Sequence, residues 1–220
     1  MNRRTKSEML LLLTAAIWGF AFVAQRAGMD HVGPFTYTAI RFALGSGLLA
    51  LVLVGKRRRE PSSVPGVRIA LPGALVAGTV LFAGAATQQV GMVHTTAGKA
   101  GFITGLYVII VPIFGLFLKH RPHWRVWAGA GLAAVGLYLL SAHGQFSLSM
   151  TDLKGDLLVC ACAVFFALHV VVIGLISGKH CPLTLACLQF AVCAFISTVV
   201  ALLVEEIAVR NIVRAAIPIL

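Results

Sequence analysis

The sequence feature that most constrains the fold is a series of apolar runs, each about as long as a bilayer is thick. A helix that crosses the hydrocarbon core of a membrane needs roughly 20 mostly apolar residues. The chain is 59% apolar and only 11% charged, whereas soluble domains average about 25% charged residues. The sequence therefore predicts an all-α, polytopic membrane helix bundle in the lipid bilayer, with about seven spans at 9–27, 34–54, 69–92, 96–118, 124–141, 156–176 and 183–204.

The formal charge of +11 would also suit a nucleic-acid-binding protein, but the basic residues lie in short clusters between the apolar runs. No soluble segment is long enough to carry a nucleic-acid surface, so we expect no nucleic-acid partner. Twelve of the eighteen Lys and Arg residues fall on one side if the N-terminus is cytoplasmic. Such an excess marks the cytoplasmic side. We predict a multi-pass protein of the cell (inner or plasma) membrane with a cytoplasmic N-terminus.

An internal repeat becomes visible when residue n is placed on residue n+148. Pro34-Phe-Thr-Tyr-Thr-Ala-Ile-Arg-Phe-Ala43 then lies without gaps on Pro182-Leu-Thr-Leu-Ala-Cys-Leu-Gln-Phe-Ala191, with identical Pro, Thr, Phe and Ala. Because five helices separate equivalent points, the second copy would enter the membrane from the opposite side, as in many secondary transporters. We predict a first five-helix unit at 1–141 and an incomplete inverted unit at 152–220. A chance match between apolar helices is the alternative.

Two cations lie within the apolar runs, Arg41 about two turns and Lys99 about one turn from the nearer end. A charge near a helix centre costs roughly 2.5–3.5 kcal/mol on insertion scales, so each needs a reason to be there. All seven acidic residues lie at or beyond the ends of the runs, and we therefore expect neither cation to have a carboxylate partner. Facing a cavity, they would suit a substrate carboxylate. Snorkelling or the capping of helix carbonyls is the alternative.

Other polar and aromatic residues at membrane depth are candidates for lining a substrate cavity. Of Gln88 and Gln89, which are adjacent, we expect only one to face inward, and Gln88 is the candidate. The remaining candidates are Trp18, Phe22 and Gln25 in the first run, Thr104 and Tyr107 in the fourth, and His169 in the sixth. Packing within the bundle or against lipid is the alternative for each of them.

The fourth run also carries Gly98, Gly101 and Gly105, whose spacing gives a smooth face for close helix approach. Pro112 in the same run lacks a backbone donor and should kink the helix. These residues are the candidates for a hinge or a packing face.

Enzyme chemistry finds no support in the sequence, which contains no intramembrane carboxylate pair and no H-E-x-x-H or G-x-S-x-G motif. The five cysteines lack the spacing of a metal or redox pair. We therefore predict a protein that is not an enzyme and that has no cofactor and no metal.

Three segments resemble the EamA-type transporters of the drug/metabolite transporter superfamily. They are Trp18-Gly19-Phe-Ala-Phe22, Pro34 followed by Arg41-Phe42, and the glycine-rich run from Ala97 to Pro112 with the basic loop Lys119-His-Arg-Pro122. The resemblance implies ten helices in two inverted five-helix repeats around a central cavity, and export of amino acids, other metabolites or drugs. This chain departs from that pattern because it stops at the start of an eighth span, and we expect it to be truncated at the C-terminus.

The functional hypothesis is a secondary transporter, an exporter or permease, that moves small organic metabolites such as amino acids or drug-like amphiphiles by alternating access. Its partners would be the small-molecule substrate and the bilayer, and a homodimer is kept open. A non-transporting scaffold or assembly subunit, or an inactive truncated fragment, are the alternatives.

Overall fold

The computed structural model describes residues 2–59, 67–119, 122–141 and 150–215, and these ranges contain helices and turns but no strand. This confirms the all-α prediction. Residues Ser177–Lys179 form a short 3-10 helix. The α-helices are α1 (Arg3–Gly28), α2 (Pro34–Arg59), α3 (Val67–Val93), α4 (Ala97–Gly105), α5 (Tyr107–Phe117), α6 (Trp124–Ser141), α7 (Met150–Ile176), α8 (Pro182–Val204) and α9 (Val209–Arg214).

Six segments of the described chain are long and apolar enough to cross a membrane: Thr5–Gly28, Pro34–Arg58, Ala70–Val93, Ala97–Phe117, Leu153–Ile176 and Pro182–Val204. The molecule is thus a polytopic helical bundle, with six such segments in its described residues against about seven predicted spans. The fifth predicted span, 124–141, is helical as α6 (Trp124–Ser141) but is not among these six segments.

The predicted eighth span begins with the six-residue helix α9, and residues 216–220 lie outside the described part of the chain. Parts of the predicted connections, at 60–66, 120–121 and 142–149, also lie outside it.

The fourth predicted span is divided at Leu106 into α4 and α5. The Leu106 N–H donates to the Ile103 carbonyl at 3.1 Å, which is a tightened turn. Gly105 adjoins this turn, and Pro112 lies inside α5 without ending it. The interruption therefore occurs six residues before the proline at which we expected the kink, beside a glycine that is intrinsically weak in a helix.

The centre of the bundle is α3, which packs along both α7 and α8. Its glycines allow the close approach. A Cβ atom built on Gly91 would lie 2.7 Å from Val159 Cγ2, and one built on Gly84 would lie 2.7 Å from Phe166 Cδ1. As the α3 residue number rises, the number of its α7 neighbour falls, so the two helices run antiparallel.

The second extensive contact joins α2 to α8. The Phe42 and Phe190 rings meet edge to face with centroids 5.1 Å apart, and the Ser46 hydroxyl donates to the Cys187 carbonyl at 3.0 Å. Phe42 and Cys193 share a buried apolar cluster with α3 residues. This pair of helices also runs antiparallel, since the start of α2 contacts the end of α8.

The lipid-facing surface is apolar, as a bilayer requires. The first half of α1 exposes a continuous run from Met9 to Leu13. We call the end of the bundle opposite the N-terminus, where α1, α3 and α8 end and α2, α4 and α7 begin, the distal end.

Candidate functional site

An interior hydrogen-bonded group connects α3, α4 and α7. The Gln88 Nε2 donates to Thr104 Oγ1 at 3.1 Å, and both side chains are buried. Thr104 Oγ1 also lies 3.9 Å from Cys162 Sγ, within reach of a weak sulfur hydrogen bond. Two candidates named from the sequence, Gln88 and Thr104, are thus brought together, and Cys162 joins them.

The prediction that only one of Gln88 and Gln89 faces inward is wrong, because both are buried, with 4% and 1% of their surface exposed. Adjacent residues of α3 can both be buried because other helices pack on several of its sides. Gln25 on α1 is buried as well. Among the described residues, Gln25 Oε1 and both amide atoms of Gln89 have no hydrogen-bond partner. Phe22, one turn from Gln25, packs against Met92 and its neighbours on α4.

Arg41 is partly buried, next to aromatic side chains of its own helix. Its guanidinium carbon lies 5.1 Å from the centroid of the Phe42 ring and 5.9 Å from that of Tyr37. No carboxylate in the described part of the chain forms an ion pair with it. The two aromatic rings offset part of the solvation that the cation loses on burial, but not all of it.

His169 on α7 has a defined partner on the next helix. Its Nε2 lies 2.9 Å from Gln189 Oε1 of α8, and Gln189 is buried. This contact fits the alternative in which His169 packs within the bundle, and not only a role in binding substrate or carrying a proton. Gln189 was not among the residues named from the sequence, although the repeat places it on Arg41 and so marks it as a polar position inside the bundle.

The expectation that Lys99 lacks a carboxylate partner is wrong. Lys99 Nζ lies 3.8 Å from Asp156 Oδ2, and Thr95 donates its hydroxyl to Asp156 Oδ1 at 2.8 Å. The error came from the helix boundary, since α7 begins at Met150 and not at 156, which places Asp156 well inside the helix.

The remaining candidates are more scattered. Trp18 is 54% exposed, and Tyr107 is partly buried. A Cβ on Gly98 would meet nothing within 4 Å, and one on Gly101 would meet only the Phe22 ring, at 3.7 Å. Gly105 adjoins the Leu106 turn, and Pro112 is buried within α5.

The surface of the described residues has two depressions that could hold a small molecule. One is an open apolar groove of about 390 Å³ along the start of α7, lined by Leu153, Lys154, Leu157 and Leu158. The other is a recess of about 40 Å³ at the distal end, where the loop after α1 meets the chain after α8. Neither is lined by a candidate from the sequence.

The helical fold, the apolar outer surface and the polar groups held between facing helices define a multi-pass integral membrane protein. Residues 5–142, more than half of the chain, match the EamA-like transporter family. The chain belongs to this family, as the sequence resemblance predicted.

The chain is similar in sequence to named transporters of other organisms. An "Uncharacterized transporter" of Archaeoglobus fulgidus is 32% identical over 185 residues, covering 84% of this chain and 54% of the relative. A "Probable terminal-alkyne amino-acid exporter" of Streptantibioticus cattleyicolor is 31% identical over 147 residues, covering 64% of this chain and 46% of the relative. The chain spans about half the length of these two relatives.

A solved crystal structure shares the fold. The TM-score is 0.63 at 22% sequence identity, and the match covers 89% of this chain and 70% of the other.

Proposed function

We propose that this chain belongs to a secondary transporter that moves small organic metabolites bearing a carboxylate, such as amino acids, by alternating access. The observation that carries the substrate class is Arg41, a cation inside the bundle with no carboxylate partner in the described residues. A ligand carboxylate would supply the missing charge. The relative named as a probable terminal-alkyne amino-acid exporter supports the same class of substrate.

An inverted repeat, with units at 1–141 and 152–220, supports the alternating-access part of the proposal. Phe42 and Phe190 are equivalent under the 148-residue offset, and their rings contact each other. Equivalent residues meet in this way when a pseudo-two-fold axis passes between them. The antiparallel course of α2 and α8 fits an axis lying in the membrane plane.

The unpartnered amides support a polar substrate. Buried amides normally find hydrogen bonds, and leaving one unmade costs about 1–3 kcal/mol. Gln25 and Gln89 are buried with unpaired amide atoms among the described residues. A ligand with hydrogen-bonding groups in addition to its carboxylate would satisfy them.

We place the protein in the cell membrane with its N-terminus in the cytoplasm, on the positive-inside rule. Cys181, just before α8, offers a direct test. The hydrogen bond from the Thr184 backbone N–H, and also the charge of Lys56, lower the pKa of the Cys181 thiol. A lower pKa gives more thiolate near pH 7. A membrane-impermeant maleimide should therefore label Cys181 rapidly from the cytoplasmic side, and labelling from outside only would reverse the orientation.

The substrate test compares each amino acid with its decarboxylated amine. The purified chain is heated with and without leucine or isoamylamine, and uptake of labelled leucine into proteoliposomes is measured in parallel. We expect leucine to raise the unfolding temperature more than the amine, and Arg41→Gln to remove that difference. Lys154→Gln, which removes an exposed cation, is the control and should leave it intact.

Three outcomes separate the alternatives. Equal stabilisation by acid and amine would overturn the carboxylate assignment. Binding and uptake that survive Arg41→Gln would remove Arg41 from the site. If a broad panel of amino acids and amphipathic amines gives neither binding nor uptake, the scaffold alternative is favoured.

A further inference from the structure

Two carboxylates of the described chain link helices from its two halves, and both lie at the distal end. One runs from Glu205, after α8, to the first turn of α2. The other runs from Asp156 on α7 to Lys99 and Thr95 at the start of α4. Each therefore connects the proposed first unit with the proposed second unit.

The Glu205 link is a bidentate one. Oε1 accepts from the Phe35 N–H at 2.7 Å, and Oε2 accepts from the Thr36 N–H at 2.8 Å and from the Thr36 hydroxyl at 2.6 Å. The first N–H groups of a helix have no partner within it and carry a partial positive charge. The Glu205 carboxylate thus accepts hydrogen bonds from the free N–H groups of α2 and also balances their partial positive charge, although it lies 170 positions away in the sequence.

The backbone around this link is fitted to the carboxylate. Gly33 leaves the space that Glu205 fills, since a Cβ atom there would collide with the carboxyl group. Glu205 itself lies just beyond α8 in extended backbone, with φ −123° and ψ 144°. It can therefore leave the α2 N-terminus by a local rotation, without unwinding α8.

The Asp156 link repeats this chemistry on the second pair of helices. One carboxylate oxygen accepts from the Thr95 hydroxyl, and the other lies 3.8 Å from the Lys99 ammonium. The side chains of Lys99 and Asp156 are 15% and 29% exposed, so water reaches the pair. Farther from the distal end, the polar link between α2 and α8 is a neutral one, from the Ser46 hydroxyl to the Cys187 carbonyl at 3.0 Å.

We infer that Glu205 and Asp156 form a distal gate, in which two reversible carboxylate contacts hold the two units together in the distally closed state. This inference rests on the proposed alternating-access function. Opening the distal side separates α2 from the end of α8 and α4 from α7, and both contacts must break for this to occur. Because each contact is a charge-assisted hydrogen bond at a water-accessible position, it can release and re-form in each cycle.

The test measures distal access to Cys193, which is buried between α2, α3 and α8. A membrane-impermeant methanethiosulfonate reagent is added to the distal face of oriented vesicles, with the face assigned by an N-terminal tag, and labelling is quantified by mass spectrometry. Glu205→Gln should raise the labelling rate about tenfold, because a glutamine presents an NH₂ group in place of one of the two oxygens that accept from Phe35 and Thr36. Asp156→Asn should raise it by a smaller factor, since the asparagine can still accept from Thr95.

Gly33→Ala provides a second route to the same state, because it displaces Glu205 without changing any charge, and it should match Glu205→Gln. Glu206→Gln is the matched control, as Glu206 is exposed and the described residues give it no hydrogen bond. Unchanged Cys193 labelling in both Glu205→Gln and Gly33→Ala, in vesicles where the native fold is verified by intact Cys181 labelling, would overturn the gate.

The gate and the transport function fail in different ways. Increased labelling without any uptake would support the gate as a conformational element and count against transport by this chain. Uptake with unchanged labelling would leave transport standing and remove the gate.

Discussion

Helices α3 and α4 both carry several glycines, but only those of α3 bring other helices close. In the membrane-spanning part of α3, 44% of the residues in the most apolar stretch are buried. The figure for the corresponding stretch across α4 and α5 is 17%. Four α3 glycines, Gly73, Gly78, Gly84 and Gly91, have side chains or backbone of α7 or α8 within 3.2 Å of a built Cβ, whereas Gly98 of α4 has an open side.

The difference shows that glycine spacing predicts a groove along a helix but does not predict whether another helix packs into it. Close approach needs a second helix aligned along the groove, and for α3 that helix is supplied by chain nearly 70 residues later, at Val159 opposite Gly91. In α4 the nearest atoms to a Cβ built on Gly101 belong to the Phe22 ring, at the ordinary contact distance of 3.7 Å. We expect α3 to be the rigid centre of the bundle and α4 and α1 to form a looser margin, and substitutions in each region can test this.

The largest effect is expected for Gly91→Ala. The new methyl group would lie 2.7 Å from Val159 Cγ2 and 2.9 Å from the Gly155 carbonyl oxygen, and the backbone oxygen cannot move aside cheaply. We expect a loss of about 2–3 kcal/mol in the free energy of unfolding, measured by thermal or denaturant unfolding in detergent.

Gly98→Ala is the matched control on α4, with nothing within 4 Å of the added carbon. Its stability should be unchanged or raised by up to about 1 kcal/mol, since alanine favours the helix. Equal losses from the two substitutions would remove the distinction between α3 and α4.

A smaller loss is expected for Gln189→Leu at the α7–α8 contact. It removes the acceptor 2.9 Å from His169 Nε2 and leaves the partly buried imidazole without that partner. The expected cost is about 1–2 kcal/mol. The double variant with His169→Leu should lose less than the sum of the two single losses, and strictly additive losses would mean that the two side chains do not interact.

The sequence was sufficient for the broad architecture because bilayer thickness fixes helix length. Apolar runs of about 20 residues located the long helices, including α6 at 124–141. The family resemblance was likewise confirmed over residues 5–142. The prediction of helix ends was weaker. The sequence placed the start of α7 at residue 156, so Asp156 was taken as an end residue and its ion pair with Lys99 was missed.

Side-chain partners were beyond the reach of periodicity. Each run is apolar on nearly all sides, so nothing in the local pattern distinguishes the face of α3 that buries both Gln88 and Gln89. The partners of Thr104 and His169 are separated from them by 16 and 20 residues along the chain and lie on other helices. The roles of the candidate residues in substrate binding stay predictions.

Thr104→Val tests how firmly α4 is attached to α3. It removes the hydroxyl that accepts from Gln88 Nε2 at 3.1 Å while keeping the shape of the side chain. We expect a loss of about 1 kcal/mol, because the buried Gln88 amide would lose its partner. Thr14→Val, whose exposed hydroxyl bonds only the Leu10 carbonyl of its own helix, is the control and should be near neutral.

The smallest effect on stability is expected for Trp18→Leu on α1. The side chain is 54% exposed and no buried cluster includes it, so replacement by another apolar residue should change the free energy of unfolding by less than about 0.5 kcal/mol. Unfolding in detergent and leucine uptake in proteoliposomes are measured on the same preparation. Unchanged stability with lost uptake would assign Trp18 to the substrate path, on the loose margin beside Phe22. Unchanged uptake would make it a lipid-facing residue, and a stability loss comparable to that of Gly91→Ala would show that α1 belongs to the rigid centre after all.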